Sequence, residues 1–314
     1  MTTVPLDTLS QVEINERYRA LGHDFASYGL NLPEDATAAL EEGYRAGLAR
    51  QRRPQKADRF VRKWLQIRKH ALARRRSVSE ELTVESLRRL DAAVCPITLA
   101  VLTHGERKPS DWSIDRLNNN GAYAVGNLAV ISTRANHAKG EKSLIEVQRL
   151  SEGASTVDGL APREWARMFA TMYGPCIVEG QEEKLKIRQV APIAPDTIGF
   201  PWQVFQSLLV EWVVRIPETP EFISNFLEAL PNNQLRGQVR RMTRLIQEQL
   251  PLNDAHHDVW FDDGLFNVYK EFYEELKRCT ENDPMRILRS QATPKRVTKK
   301  MLSELRFETR GYFR

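Results

Sequence analysis

Between Cys95 and Gly140 the chain gathers residue types that handle phosphate chemistry: Asp115 followed by Arg116, then Asn127, then Arg134, Asn136, His137 and Lys139. A hard divalent cation such as Mg²⁺ takes oxygen ligands, few from protein and the rest from water and phosphate. Asp115 and Asn136 could supply one each. Arg116, Arg134 and Lys139 could hold a scissile phosphate and offset the charge that develops on it. The chemistry implied is metal-assisted phosphodiester hydrolysis. Singly, these residues have plainer readings. An Asp–Arg pair at a strand end is commonly a local salt bridge, and Asn127 after Gly126 is commonly a turn residue. Their joint spacing carries the argument.

Short elements must position them. WSIDRL reads as a strand with Trp112, Ile114 and Leu117 around Asp115 and Arg116. NNNGAY supplies turn residues, with Gly121 and the Asn run able to take positive φ. NLAVIST is β-rich, and RANHAKG opens a helix carrying Asn136, His137 and Lys139. The order is strand, turn-rich loop, strand, helix.

This outline resembles the HNH, or ββα-metal, nuclease family. In that pattern an Asp-His pair stands on the first strand, an Asn opens the second, and the helix reads Cys-x-x-Cys-His-x-x-Lys. Asp115 falls where the family's metal-binding Asp stands, Asn127 where its loop-tying Asn stands, Asn136 on the last metal-ligand position and Lys139 on the trailing Lys. SIDRLNNNGAYAVGNLAVIS also resembles an Asp-Arg-Ile-Asp…Gly-Tyr…Asn-Val variant of HNH-like proteins. The match covers 46 of 314 residues. The resemblance implies Mg²⁺ or Mn²⁺ held by Asp115 and Asn136, a loop fixed by Asn127, phosphate contacts from Arg116 and Lys139, and double-stranded DNA as substrate.

Two departures matter. The family's zinc-knuckle cysteines are reduced to Cys95, with Thr98, Ser132 and Ala135 at the other positions, so no structural zinc is expected. Arg116 stands where the general-base His belongs, and a guanidinium stays charged at any ordinary pH and cannot accept a proton. Tyr123 in the inter-strand loop and His104 upstream are the side-chain substitutes; His137 diverges from Asn136 by roughly 100° on a helix. Activation of water by the cation without a protein base is the remaining option. The alternative function is a catalytically degenerate module that binds nucleic acid or serves in assembly.

The charge distribution points the same way. Residues 50–76 hold twelve Lys or Arg and one acid, Asp58, for +11, leaving the rest of the chain at −6 against +5 overall. Such asymmetry suggests a polyanion partner, although a solvated basic helix is the plainer reading. The apolar positions Phe60, Val61, Trp64, Leu65, Ile67, Ala71 and Leu72 form a helical stripe. Arg52, Arg53, Arg59, Arg62, Lys63, Arg68, Lys69, Arg74, Arg75 and Arg76 are candidates to contact phosphate, with Arg134.

The fold expected is mainly α with a small ββα-metal α+β module. Residues 1–94 read as helical, with helices at 13–21 and 33–48, the basic helix within 50–76, and a further helix capped by Ser77 and Glu80. Residues 95–142 are the ββα module. Residues 143–200 read as a linker with a short helical or irregular segment, and 201–314 as a helical C-terminal domain with a basic tail, a possible surface for a protein partner. Asp254, His257 and Asp258 form a weaker metal-site candidate. Three scattered cysteines give no disulfide framework, and no apolar run spans a bilayer. With no secretion signal at the N-terminus, a cytoplasmic protein is expected.

Overall fold

The N-terminal pattern produces four helices in the computed structural model, which describes residues 10–50, 53–173, 201–214, 221–253 and 255–289. Arg52, Cys176, Asp254, the Pro-punctuated run before 201 and the basic tail lie outside the described residues. Helix α1 (Gln11–Ser27) opens with a capping box between Ser10 and Glu13. Helix α2 (Ala38–Arg50) starts later than the sequence suggests, where the Thr37 hydroxyl accepts the Leu40 N–H. The two helices meet backbone to backbone. A Cβ on Gly22 would lie 2.0 Å from the Leu40 carbonyl oxygen, and one on Gly43 would lie 1.9 Å from that of Arg19.

Helix α3 (Arg59–Ala73) is the basic helix. Asp58, the single acid of that segment, caps it by accepting the N–H groups of Phe60 and Val61 at 3.0 and 2.9 Å, and also pairs with Arg88. Partial burial would push this carboxyl up, but the Val61 N–H and the Arg88 guanidinium hold it below the usual carboxylate value. Val61, Leu65 and Leu72 pack with Leu21, Leu30 and Leu40. Each such side chain contributes about 1.5–3 kcal/mol by burial. The helix ends with Arg75 at φ 49°, its N–H on the Leu72 carbonyl and that of Arg76 on Ala71. This is the Schellman geometry, in which glycine is the usual occupant.

Helix α4 (Val84–Arg89) is capped by Thr83. The box expected at Ser77 and Glu80 does not form. Instead Val78 bridges Tyr123, with the Tyr123 N–H donating to Ser77 and the Ser79 N–H to Tyr123. A strand-like pairing from 45 residues away has displaced a helix start.

β1 (Trp112–Arg116) and β2 (Leu128–Ser132) form a two-stranded antiparallel sheet, and the rest of the regular structure among the described residues is helical. β2 is buried along its whole length. Two compact units result. Among the described residues, the first comprises those to Ala92 with Ile114–Val130, and the second comprises Ala93–Ser113 and those from Ile131 onward.

In the second unit, α5 (Thr133–Lys139) follows β2 directly, with Ser132 as its cap. α6 (Leu144–Ser151) is a helix with its own Ser143–Glu146 capping box, inside the stretch that reads as a linker with a short helical or irregular segment. α7 (Pro162–Tyr173) buries Trp165, and α8 (Pro201–Val214), α9 (Glu221–Ala229), α10 (Asn233–Gln249), α11 (Asp263–Cys279) and α12 (Met285–Arg289) complete the described chain. Their core joins Phe205, Trp212, Phe226, Val239, Met242 and Phe272, with Trp202 edge-on to Tyr269 at 4.7 Å. Asp258, of the weaker metal-site candidate, is engaged by a cation of the chain itself. Both its oxygens go to Arg167, whose Nη1 also donates to the Ile97 carbonyl at 3.0 Å. No helix among the described residues is long and apolar enough to cross a membrane.

Candidate functional site

The candidate residues divide between the units: Asp115, Arg116, Tyr123 and Asn127 in the first, His104, Arg134, Asn136 and Lys139 in the second.

In the first unit everything turns on the loop between the strands. Leu117 N–H donates to the Asn127 carbonyl at 2.9 Å and closes the hairpin. The Asn127 side chain is fully buried and spends itself on that loop. Its Oδ1 accepts the Asn118 N–H at 2.8 Å, and its Nδ2 donates to the carbonyls of Asn118 and Ala122 at 3.1 and 2.8 Å. A buried carboxamide with both ends engaged is what a loop-tying role requires.

Arg116 works on the same loop. Its Nη1 donates to the carbonyls of Asn119 and Gly121 at 2.7 and 2.9 Å, and its guanidinium lies 4.9 Å from the centre of the Tyr123 ring. The sequence reading gives Arg116 to phosphate; the geometry makes it a clamp on its own hairpin. Beside it on β1, Asp115 is only 8% exposed.

In the second unit, Asp111 orders the approach to β1. Its carboxylate accepts the Thr103 hydroxyl at 2.6 Å and the N–H groups of Glu106 and Arg107 at 3.2 and 2.7 Å. The Thr103 hydroxyl and then these backbone donors hold the carboxyl below its usual range. The Asp111 carbonyl receives the Thr133 N–H at 2.7 Å and its hydroxyl at 2.9 Å, which fixes the start of α5. From α5, Asn136 donates its Nδ2 to the Ser113 hydroxyl at 2.7 Å. Tying the amide nitrogen in this way leaves Oδ1, the atom a hard cation would use.

The other candidates on this unit fall elsewhere. Lys139 is wholly buried, so it does not present its ammonium to solvent. Arg134 is committed to Glu164 and to the Gly159 carbonyl. His104 is exposed and packs edge-on against Trp112 at 5.5 Å. Among the described residues no three of His, Cys, Asp and Glu gather as a metal cluster.

A further set was legible only as an absence. Cys95, Thr98, Ser132 and Ala135 come together. The Cys95 Sγ accepts the N–H of Thr98 at 3.4 Å and of Ser132 at 3.2 Å. The Thr98 and Ser132 hydroxyls are 3.3 Å apart, and Ser132 Oγ accepts the Ala135 N–H at 3.2 Å. Hydrogen bonds join the four positions at which the resemblance places zinc-knuckle ligands.

The basic helix is partly neutralised within its own unit. Arg59 pairs with Asp91, Arg68 with Asp24 while lying over Trp64, and Lys69 with Asp35. Lys63 is half-buried, which pushes its ammonium below the usual lysine value. Arg53, Arg62, Arg74, Arg75 and Arg76 remain exposed. Three of them crowd the C-terminus of α3, where the helix dipole favours cations. Desolvation, followed by the charges of Arg74, Lys69 and Lys63, holds His70 below its ordinary value.

No family model matches the chain, and no curated protein or solved structure matches it either.

Proposed function

We propose that the chain is an HNH-like ββα-metal protein that hydrolyses phosphodiester bonds in nucleic acid, with double-stranded DNA as substrate and Mg²⁺ or Mn²⁺ as cofactor. The observation that carries this reading is the hydrogen-bonded cluster of Cys95, Thr98, Ser132 and Ala135. Four positions picked out by family spacing come together, with polar side chains doing the joining where the family uses metal. The tie made by Asn127 supports the same alignment.

The resemblance assigns the cation to the Asp115 carboxylate and the Asn136 Oδ1, oxygen donors of the kind a hard cation takes. When bound, the cation supplies polarisation of the phosphodiester. The chain supplies the rest. Arg116 and Asn127 fix the hairpin that carries Asp115, and Ser113 orients Asn136. The exposed arginines of residues 53–76 add affinity that is independent of sequence and falls with salt.

A second reading has its own observation. With Arg116 clamped to loop carbonyls and covering Tyr123, the first unit offers no imidazole on β1 to take a proton. That favours a ββα module that binds nucleic acid without cleaving it. Incubation of supercoiled plasmid with Mg²⁺ or Mn²⁺ separates the two. Nicking that is abolished by EDTA and by Asp115→Ala establishes the nuclease, and Tyr123→Phe and His104→Ala then locate the base. Salt-sensitive gel shifts without nicking establish the binding module.

A further inference from the structure

Helix α10 has an outer face for which the fold offers no explanation. Its buried stripe is Leu235, Val239, Met242 and Ile246. At roughly 100° per residue, Gly237, Arg240, Arg241 and Arg244 fall on the opposite side, and all four are exposed. Between Glu228 and Glu248 the chain contains no acid.

Some surface cations of the protein are matched with carboxylates, as Arg19 is with Glu42, Lys142 with Asp158 and Arg134 with Glu164. Arg240, Arg241 and Arg244 form no ion pair or hydrogen bond with any described residue. Guanidinium groups one turn apart on a helix repel one another, so the fold gains nothing by this arrangement.

Gly237 is the second, independent observation. A glycine inside an exposed helix is destabilising relative to alanine. Packing does not demand it, because a Cβ there would meet nothing within 4 Å. At Gly22 and Gly43 the absent side chain makes room for a neighbouring helix; at Gly237 the room is left open to solvent. Missing side chains on a cationic face allow the backbone of a ligand to approach closely.

We propose that this face of α10 is a nucleic-acid surface, on which a phosphate backbone passes over Gly237 and is held by Arg240, Arg241 and Arg244. Arginine offers paired donors that match phosphate oxygens. The face carries no exposed apolar side chain of the kind that inserts into a bilayer. The choice of nucleic acid over an acidic polypeptide rests on the function proposed above; the cationic, open character of the surface does not.

The test is fluorescence anisotropy of the full chain with a labelled DNA duplex, the same single strand and polyglutamate, across a salt series. Arg240→Ala/Arg241→Ala/Arg244→Ala should weaken DNA binding at least tenfold and flatten the slope of log affinity against log salt by up to about 3, with an unchanged melting temperature. Gly237→Leu should weaken binding severalfold while leaving the helix as stable or more so, which a glycine of purely structural role would not do. Equal DNA affinity in wild type and both variants would overturn the surface, and would leave the ββα reading standing if wild type still nicks plasmid. Binding of polyglutamate but not DNA would overturn it in favour of an acidic protein partner. Absence of DNA binding by the wild type, with no nicking, would sink both proposals.

Discussion

The sulfur of Cys95 accepts the backbone N–H of Ser132 at 3.2 Å, across 37 positions of sequence. Cys95 is completely buried, so this bond replaces one that water cannot make. Thr98→Cys/Ser132→Cys/Ala135→Cys should therefore rebuild a four-thiolate site. Titration with Co²⁺ should give the ligand-to-metal charge-transfer and d–d bands of tetrahedral thiolate coordination, and Zn²⁺ should displace it. Octahedral Co²⁺ spectra, or no binding by a folded variant, would mean that the four positions are not a knuckle.

Asn127→Ala removes a buried side chain that serves three backbone groups at once. Asn118 N–H and the carbonyls of Asn118 and Ala122 lose their partner. A loss of about 2–4 kcal/mol is expected, because stranded buried polar groups cost about 1–3 kcal/mol each. Urea denaturation measures it directly. A change below about 1 kcal/mol would show that the loop holds without its tie.

The Arg167–Asp258 pair is 5% and 0% exposed. Removing one partner leaves a buried charge alone, so Arg167→Met should cost about 3–5 kcal/mol, whereas Arg167→Met/Asp258→Leu should recover much of the loss. Chemical denaturation of both variants checks the order. If the double variant is less stable than the single, the pair contributes more than its desolvation removes.

His257 sets an acid limit. Burial holds its imidazole below the ordinary value of about 6.5, with Glu211 opposing, His256 assisting and Asp258 opposing. The folded protein therefore binds fewer protons here than the unfolded chain. This contribution is full above about pH 6.5 and declines as the pH falls toward the folded value, with a slope of up to about 1.4 kcal/mol per pH unit. His70 acts in the same direction. His257→Gln should flatten stability between pH 7 and about pH 5; an unchanged profile would assign the acid loss to other groups.

Gly43→Ala places a methyl group against the Arg19 carbonyl. Because that obstacle is backbone, α1 and α2 must separate. A destabilisation of about 2 kcal/mol or more is expected despite alanine's better helix propensity, read as a fall in melting temperature. A rise would mean that the helices yield at little cost.

The helices were legible wherever a stripe of apolar residues repeated at helical spacing, as in α3, where Val61, Leu65 and Leu72 reach the core. The two strands were legible from local β-rich runs between turn residues. What failed was non-local. Ser77 and Glu80 have the pattern of a helix start, but the Tyr123 backbone claims Ser77 and Ser79 first. Arg116 and Lys139 were typed correctly as cations, but their typing does not reveal that one clamps a loop and the other is buried. The partner of Asp258, Arg167, lies 91 positions away and could not be read from the local run of acids and histidines. Two further signals stand in the sequence: the Ser143–Glu146 capping box, and the run between Glu228 and Glu248 without an acid.

The partition of β1 and β2 bears on any attempt to dissect the chain. Ile114–Val130 belongs with the N-terminal helices, while the segments on either side of it belong with the C-terminal ones. A single cut near residue 93 keeps both segments of the second unit on one piece but divides the first, whose Ile114–Val130 stays with the C-terminal piece. A fragment beginning near residue 93 would carry the hairpin without Ser77 and Ser79, to which Tyr123 is hydrogen-bonded. After such a cut the first unit should re-form only when the two pieces are mixed, as complementing halves rather than as domains.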